Sequence, residues 1–256
     1  MYPLLPIGPL NLSSGGLLLL IGVLLGSALF ERAARARGGE RLFEQASSTL
    51  LPVLAGAVVG GRLIYGLLNW DVYAANPGFF LVVRIAEMAW IGALMGGMLI
   101  GWLWCRWKDL DTAQIADAAA FGLLPAQFIA SIGLLLSGEF FGNPTSLPWG
   151  IALFGTIRHP TQLYLALIAL LGYALLVRLA QRRPMPGILF AAYLVIQGMT
   201  MLLLEPLRGD SLVLPYGIRA AQVFGLALVL AVLIWMRRQI RPSLTLPSVP
   251  EQTTES

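Results

Sequence analysis

Arg158-His159-Pro160-Thr161-Gln162-Leu163-Tyr164 leads into an apolar run, residues 161–180, and this junction decides how the chain is read. The run contains one charged side chain, Arg178, near its far end. A helix of about 20 apolar residues crosses ~30 Å of hydrocarbon. The polar heptad therefore stands at a membrane edge, and it carries the chain's single histidine. Just upstream, Gly138-Glu139 closes another apolar run, so a carboxylate and an imidazole are expected at the same edge. Polar groups in such a setting are costly and usually face other helices or a cavity.

Working outward, apolar runs recur along the chain. Seven are long enough to count as spans, at approximately residues 12–30, 49–68, 88–105, 116–136, 161–180, 185–204 and 217–236. Asp117, Pro125 and Gln127 interrupt the fourth. The composition agrees: 57% hydrophobic and 12% charged, with a mean hydropathy of +0.77. A soluble domain carries about 25% charged residues. The expected fold class is an all-α polytopic membrane protein of seven transmembrane helices spanning 1–241, followed by a disordered cytoplasmic tail at 242–256 that is polar and rich in Pro, Ser and Thr.

Basic residues set the expected orientation. With the N-terminus outside, twelve of the 17 fall on the cytoplasmic side. Arg84, Arg158, Arg208 and Arg219 fall outside, and Arg62 lies within the second span. Positive charge accumulates in cytoplasmic loops, which predicts an N-out, C-in chain. The first span has no basic segment before it and Arg32, Arg35 and Arg37 behind it, which predicts an uncleaved span rather than a signal peptide.

Other classes are disfavoured. Cys105 is the only cysteine, which excludes an intramolecular disulfide and a Cys-rich metal site. No metal or cofactor is expected. A pI near 9.6 does not point to nucleic acid, because the basic residues sit at helix ends, where they serve topology and contact anionic headgroups. No internal repeat suggests an inverted-repeat transporter, and no Gly-x-Ser-Gly signature accompanies His159 as an intramembrane serine protease would require.

The candidate site residues gather at one edge. Arg62 follows Gly60-Gly61, and paired glycines allow close helix approach. A charge at the bilayer centre costs roughly 2.5–3.5 kcal/mol on the insertion scale, so a lipid phosphate or Glu139 is its expected partner. Glu139 is expected to pair with Arg62 or Arg158, either as a structural ion pair or as a catalytic base. His159 is a candidate proton carrier, or else a hydrogen-bonding residue, and Thr161 a candidate helix cap. Glu205 and Arg208, three apart where Pro206 stops a helix, are expected to form an interfacial ion pair or to bind an anionic headgroup. Gly96-Gly97 and Gly101 are expected packing faces. Cationic side chains with lateral access suit a phospholipid phosphate.

These residues resemble the bacterial prolipoprotein diacylglyceryl transferases. The resemblance covers about residues 56–236 and includes Gly60-Gly61-Arg62 with Tyr65, Asn76-Pro77 with Arg84, Gly96-Gly97 with Gly101, Gln114 with Asp117, and Gly138-Glu139 with Gly142. The run from Arg158 to Tyr164 is its most specific element, followed by Glu205 with Arg208. It implies a multi-pass protein of the bacterial plasma (inner) membrane that moves a diacylglyceryl group from phosphatidylglycerol to the lipobox cysteine of preprolipoprotein signal peptides. His159 and Glu139 would be catalytic; Arg62, Tyr65, Arg158, Gln162, Glu205 and Arg208 would bind substrate. The chain departs from the family's pattern at Met95, Ser131, Leu134 and Met201, where members carry His, Arg, Asn and Arg. The competing expectation is therefore a catalytically silent relative that binds phospholipid or lipoprotein precursor without turnover.

Overall fold

The computed structural model describes residues 4–7, 10–81, 88–211, 213 and 215–240. Arg84, Arg241 and the tail at 242–256 lie outside the described residues. Seven α-helices are described: α1 (Ser14–Leu68), α2 (Trp70–Ala75), α3 (Trp90–Trp107), α4 (Thr112–Ser137), α5 (Thr161–Ala180), α6 (Ile188–Leu204) and α7 (Ala220–Ile240). Two antiparallel hairpins accompany them: β1 (Leu4–Ile7) with β2 (Leu10–Ser13), before α1, and β3 (Ile151–Leu153) with β4 (Thr156–Arg158), between α4 and α5. These hairpins add strand pairing that the apolar runs did not signal. They form outside the helices, where backbone groups need other partners.

Among the described residues, five helices are long and apolar enough to cross a membrane: α1, α4, α5, α6 with the 3-10 turn that extends it to Leu207, and α7. The fifth expected span matches α5, Thr161–Ala180, residue for residue. α4 runs through Asp117, Pro125 and Gln127 without a break.

α1 contains 55 residues but is not one rod. Gly38 and Gly39 leave helical geometry, and Gly39 takes φ 66°, which only glycine adopts freely. Beyond them, Ser47 donates to the Glu31 carboxylate at 2.8 Å. On a straight helix these residues would be about 24 Å apart. Phe30, Ala34, Leu42 and Ala46 also share one buried cluster. The helix therefore folds back at the glycine pair into two antiparallel arms, 14–37 and 40–68. Residues 31–48, which fall between the first two expected spans, are thus helical apart from the glycine turn. The helix persists there because Leu42 and Ala46 seal the arms against each other.

Small residues set the helix spacing. Gly22 and Gly26 of the first arm face Ala126 and Gly122 of α4, whereas Gly56 and Gly60 of the second face α3 at Gly96 and Gly92. A Cβ on Gly96 would stand 2.2 Å from the Gly56 carbonyl oxygen, and one on Gly26 would stand 2.8 Å from that of Gly122. Spacing of four puts each pair on one helix face, and backbone approach of this kind drives association where lipid supplies no hydrophobic force. α4, α5, α6 and α7 then pack in succession.

At one end of the bundle, Asp117 is fully buried on α4. It accepts from the backbone N–H groups of Gly187 and Phe190, both at 2.9 Å, and from Arg37 at 3.2 Å. One carboxylate thus caps α6 from a neighbouring helix and holds the residue just before the α1 turn.

Candidate functional site at the opposite bundle end

α4 ends at Gly138, whose left-handed φ of 81° turns the chain out of the helix. The next residues are fastened to the first turn of α5. Thr161 donates its hydroxyl to the Phe140 carbonyl, and Gln162, fully buried, donates its amide to the Glu139 carbonyl at 2.8 Å. The N-cap of α5 is Pro160, without a side-chain cap bond. Thr161 is thus the first helical residue and ties down a loop instead of capping.

Two further segments join this one. His159 N–H donates to Asn143 at 3.0 Å, Asn143 N–H to Leu207 at 2.7 Å, and Gly209 N–H to Phe141 at 2.8 Å. The connection after α4, the approach to α5 and the exit from α6 therefore form one backbone-paired platform. It gathers Glu139, Arg158, His159, Gln162, Glu205 and Arg208.

The platform arginines differ in their partners; one of them, Arg219, donates to the Arg208 carbonyl at 3.1 Å and to the Ser211 hydroxyl. Arg208 is buried, with its guanidinium 3.4 Å from the Phe140 ring centroid. It pairs with Glu205 at 3.0 Å and Asp210 at 2.9 Å, so the expected ion pair with Glu205 is present and its charge is outbalanced by two carboxylates. Half-buried Arg158 donates to the carbonyls of Leu153 at 3.3 Å and Gly142 at 3.2 Å, and lies 5.1 Å from the Phe141 ring. Among the described residues no carboxylate pairs with it. Its positive charge remains available to a ligand anion.

His159 stands beside it, with Nδ1 3.5 Å from the Tyr164 hydroxyl. That hydroxyl accepts from the Trp149 indole at 2.8 Å. Glu139 is exposed and makes no ion pair with a described residue, so neither expected pairing, with Arg62 or with Arg158, is formed. The reason is local: the Glu139 carbonyl is held inward by Gln162 while its side chain faces out.

Arg62 and Tyr65 form a second group. Arg62, buried near the end of α1, donates to the Phe79 carbonyl and lies 5.2 Å from the Tyr73 ring centroid. Tyr65 packs edge-on against the same ring at 6.1 Å. Arg62 shares the end of an arm with α2, rather than pairing with Glu139.

Between the helices lies a cavity of about 460 Å³. Gly60, Ile64 and Met95 line one side; Tyr193, Gln197 and Phe224 line the other. Tyr193 and Gln197 supply its hydrogen-bonding side chains, and Gln197 donates to Gln127 at 2.6 Å. The sequence reading missed both. Their four-residue spacing on one face of an apolar span was the available signal. Ser131 satisfies its hydroxyl on the Gln127 carbonyl at 2.8 Å.

A multi-helix membrane protein with glycine-seamed helices, a lined intramembrane cavity and a cationic platform at one end is the class these features define. Residues 3–238 match the family model described as prolipoprotein diacylglyceryl transferase. A phosphatidylglycerol–prolipoprotein diacylglyceryl transferase of Trichormus variabilis is 33% identical, covering 98% of this chain and 94% of that protein. Proteins of the same description from a Nostoc strain and from Gloeobacter violaceus are 34% and 33% identical, covering 93% and 91% of this chain and 90% and 94% of theirs. The chain belongs to the prolipoprotein diacylglyceryl transferase family.

Proposed function

We propose that the protein transfers the diacylglyceryl group of phosphatidylglycerol to the lipobox cysteine of preprolipoproteins, in the bacterial plasma (inner) membrane. The two arms of α1, with α3 to α7, supply seven spans, N-terminus out and C-terminus and tail in. That arrangement puts the platform at the outer face, where a translocated signal peptide meets phosphatidylglycerol. A lipobox thiol, with a pKa of ~8.5 when free, attacks as thiolate. The sulfur forms a bond to the glycerol carbon bearing the phosphodiester as that C–O bond breaks, and glycerol phosphate leaves. His159 accepts the thiol proton. Arg158 holds the phosphate, with Gln162 ordering the loop beside it, Glu139 at the entrance and Glu205 fixing Arg208, while Arg62 and Tyr65 contact the lipid substrate from their separate group at the end of α1.

The observation that carries this reading is Arg158: a guanidinium held by neutral carbonyls, without a described carboxylate partner, next to the only imidazole. Purified protein in phosphatidylglycerol vesicles is expected to convert a lipobox peptide to its thioether, seen by mass. His159→Gln is expected to slow conversion roughly 100- to 10,000-fold. No product from well-folded protein overturns the reading.

One set of positions favours the second reading, lipid or precursor binding without turnover. Met95, Ser131 and Met201 carry neither charge nor acid–base chemistry where family members carry His or Arg, and Met95 lines the apolar cavity. Phosphatidylglycerol that copurifies without transfer identifies this outcome.

A further inference from the structure

The connection from α4 to α5 contains no charged residue between Gly142 and Ile157. It carries Leu147, Trp149, Ile151, Leu153, Phe154 and Ile157 instead. A water-facing loop is ordinarily polar, whereas amphipathic aromatic side chains concentrate at the membrane interface. The second platform segment, 205–219, shows the contrast, with Glu205, Arg208, Asp210 and Arg219.

Folding buries Leu153 but leaves three of the apolar side chains of this connection largely exposed. Phe154 is 65% exposed, Trp149 58% and Ile157 54%. Phe154 and Gly155 form the whole turn between β3 and β4, with φ of 51° and 75°. Asn-Gly or Asp-Gly is favoured for such a turn, since bulky side chains rarely adopt positive φ. The tip therefore presents an aromatic side chain that packs against Phe141, 5.3 Å between ring centroids, and is otherwise open to a partner outside the protein.

The structure indicates where that partner lies. The Trp149 indole donates to Tyr164 in the first turn of α5. Ile157 lies against the Gly150 backbone beside Trp149, since a Cβ built there would fall 2.4 Å from Ile157 Cγ2. β4 enters α5 through His159-Pro160, and α5 continues with exposed Leu163 and Leu167 on its membrane-crossing surface. The patch is thus continuous with a lipid-facing helix.

We infer that the β3–β4 hairpin is an interfacial insert, with Trp149, Phe154 and Ile157 seated in the headgroup–acyl boundary of the leaflet on its side. Its occupant is the lipid surface. The insertion fixes the depth of the adjoining Arg158-His159 at phosphate level, and it stands whether or not the site turns over substrate.

Cys105 is buried, so a cysteine placed at the hairpin can be labelled selectively in a Cys105→Ala background. Phe154→Cys and Ile157→Cys, each carrying an environment-sensitive nitrobenzoxadiazole label, are placed in phosphatidylglycerol–phosphatidylcholine nanodiscs. Tyr216→Cys, at a position 100% exposed on the other segment, is the comparison. The expected result is several-fold stronger quenching by lipids doxyl-labelled near the headgroup at 154 and 157 than at 216, with several-fold weaker quenching by iodide. Full iodide access at 154 and 157 without doxyl quenching overturns the inference. So does iodide access that disappears only on adding a lipobox peptide, which would make the peptide the occupant.

Discussion

The bundle holds an arginine and carboxylates at each end, and the two ends use them differently. At the Asp117 end, one fully buried carboxylate takes two backbone N–H groups and Arg37, joining three helices through a single side chain. At the platform end, Arg208 is held by Glu205 and Asp210, while Arg158 is held only by carbonyls. The first arrangement spends its charge on architecture. The second splits the work between one arginine that is neutralised and others, Arg158 beside the imidazole among them, that no described carboxylate pairs. Proximity to a helix end therefore does not distinguish a structural charge from a functional one. The identity of the partner does.

The largest expected effect belongs to Asp117. Asp117→Ala removes the cap of α6 and strands Arg37, at a cost of about 3–5 kcal/mol for the broken buried pair and about 0.5–2 kcal/mol more for the cap. Denaturant unfolding in micelles measures it. A loss below about 1 kcal/mol would erase the contrast between the two ends.

Arg208 comes next. Arg208→Gln leaves Glu205 buried without its cation and is expected to cost about 3–5 kcal/mol of stability. Arg158→Gln loses two carbonyl hydrogen bonds of a half-buried side chain, where water can replace the donor, and leaves no buried charge unpaired, so the fold is expected to survive. Its transfer rate in the vesicle assay is expected to fall about 100- to 1,000-fold, the loss typical of one transition-state donor. If Arg158→Gln unfolds the protein while Arg208→Gln merely slows it, the assignment of the two arginines is reversed.

How much of this was legible follows from how far each feature depends on neighbours. α5 was readable to the residue because a span is a local property of about 20 side chains. Glu205–Arg208 was readable because a three-residue spacing fixes the geometry. The Glu139 pairing was misjudged because the path of the chain after Gly138 depends on Thr161 and Gln162, more than 20 residues away. Asp117 looked like a flaw in a span; its backbone partners on α6 lie 70 and 73 residues downstream. The cavity beside Met95 is the gap between α1 and α3 on one side and α6 and α7 on the other, and no run of sequence contains that gap.

The smallest expected effect tests how the platform itself is held. Thr161 is fully buried and its hydroxyl donates to Phe140, the residue whose ring lies under Arg208. Thr161→Val keeps the shape and removes the donor, so about 0.5–1.5 kcal/mol of stability should be lost, with transfer changed less than in Arg158→Gln. Several bonds of this size, from Gln162, Asn143 and Gly209 as well, then add up to what Asp117 does alone at the opposite end. Unfolding of Thr161→Val against wild type in the same micelles measures the increment. A loss of 3 kcal/mol or more would make this bond a single keystone too, and the platform would have to be regarded as cooperative rather than stitched together from separable contacts.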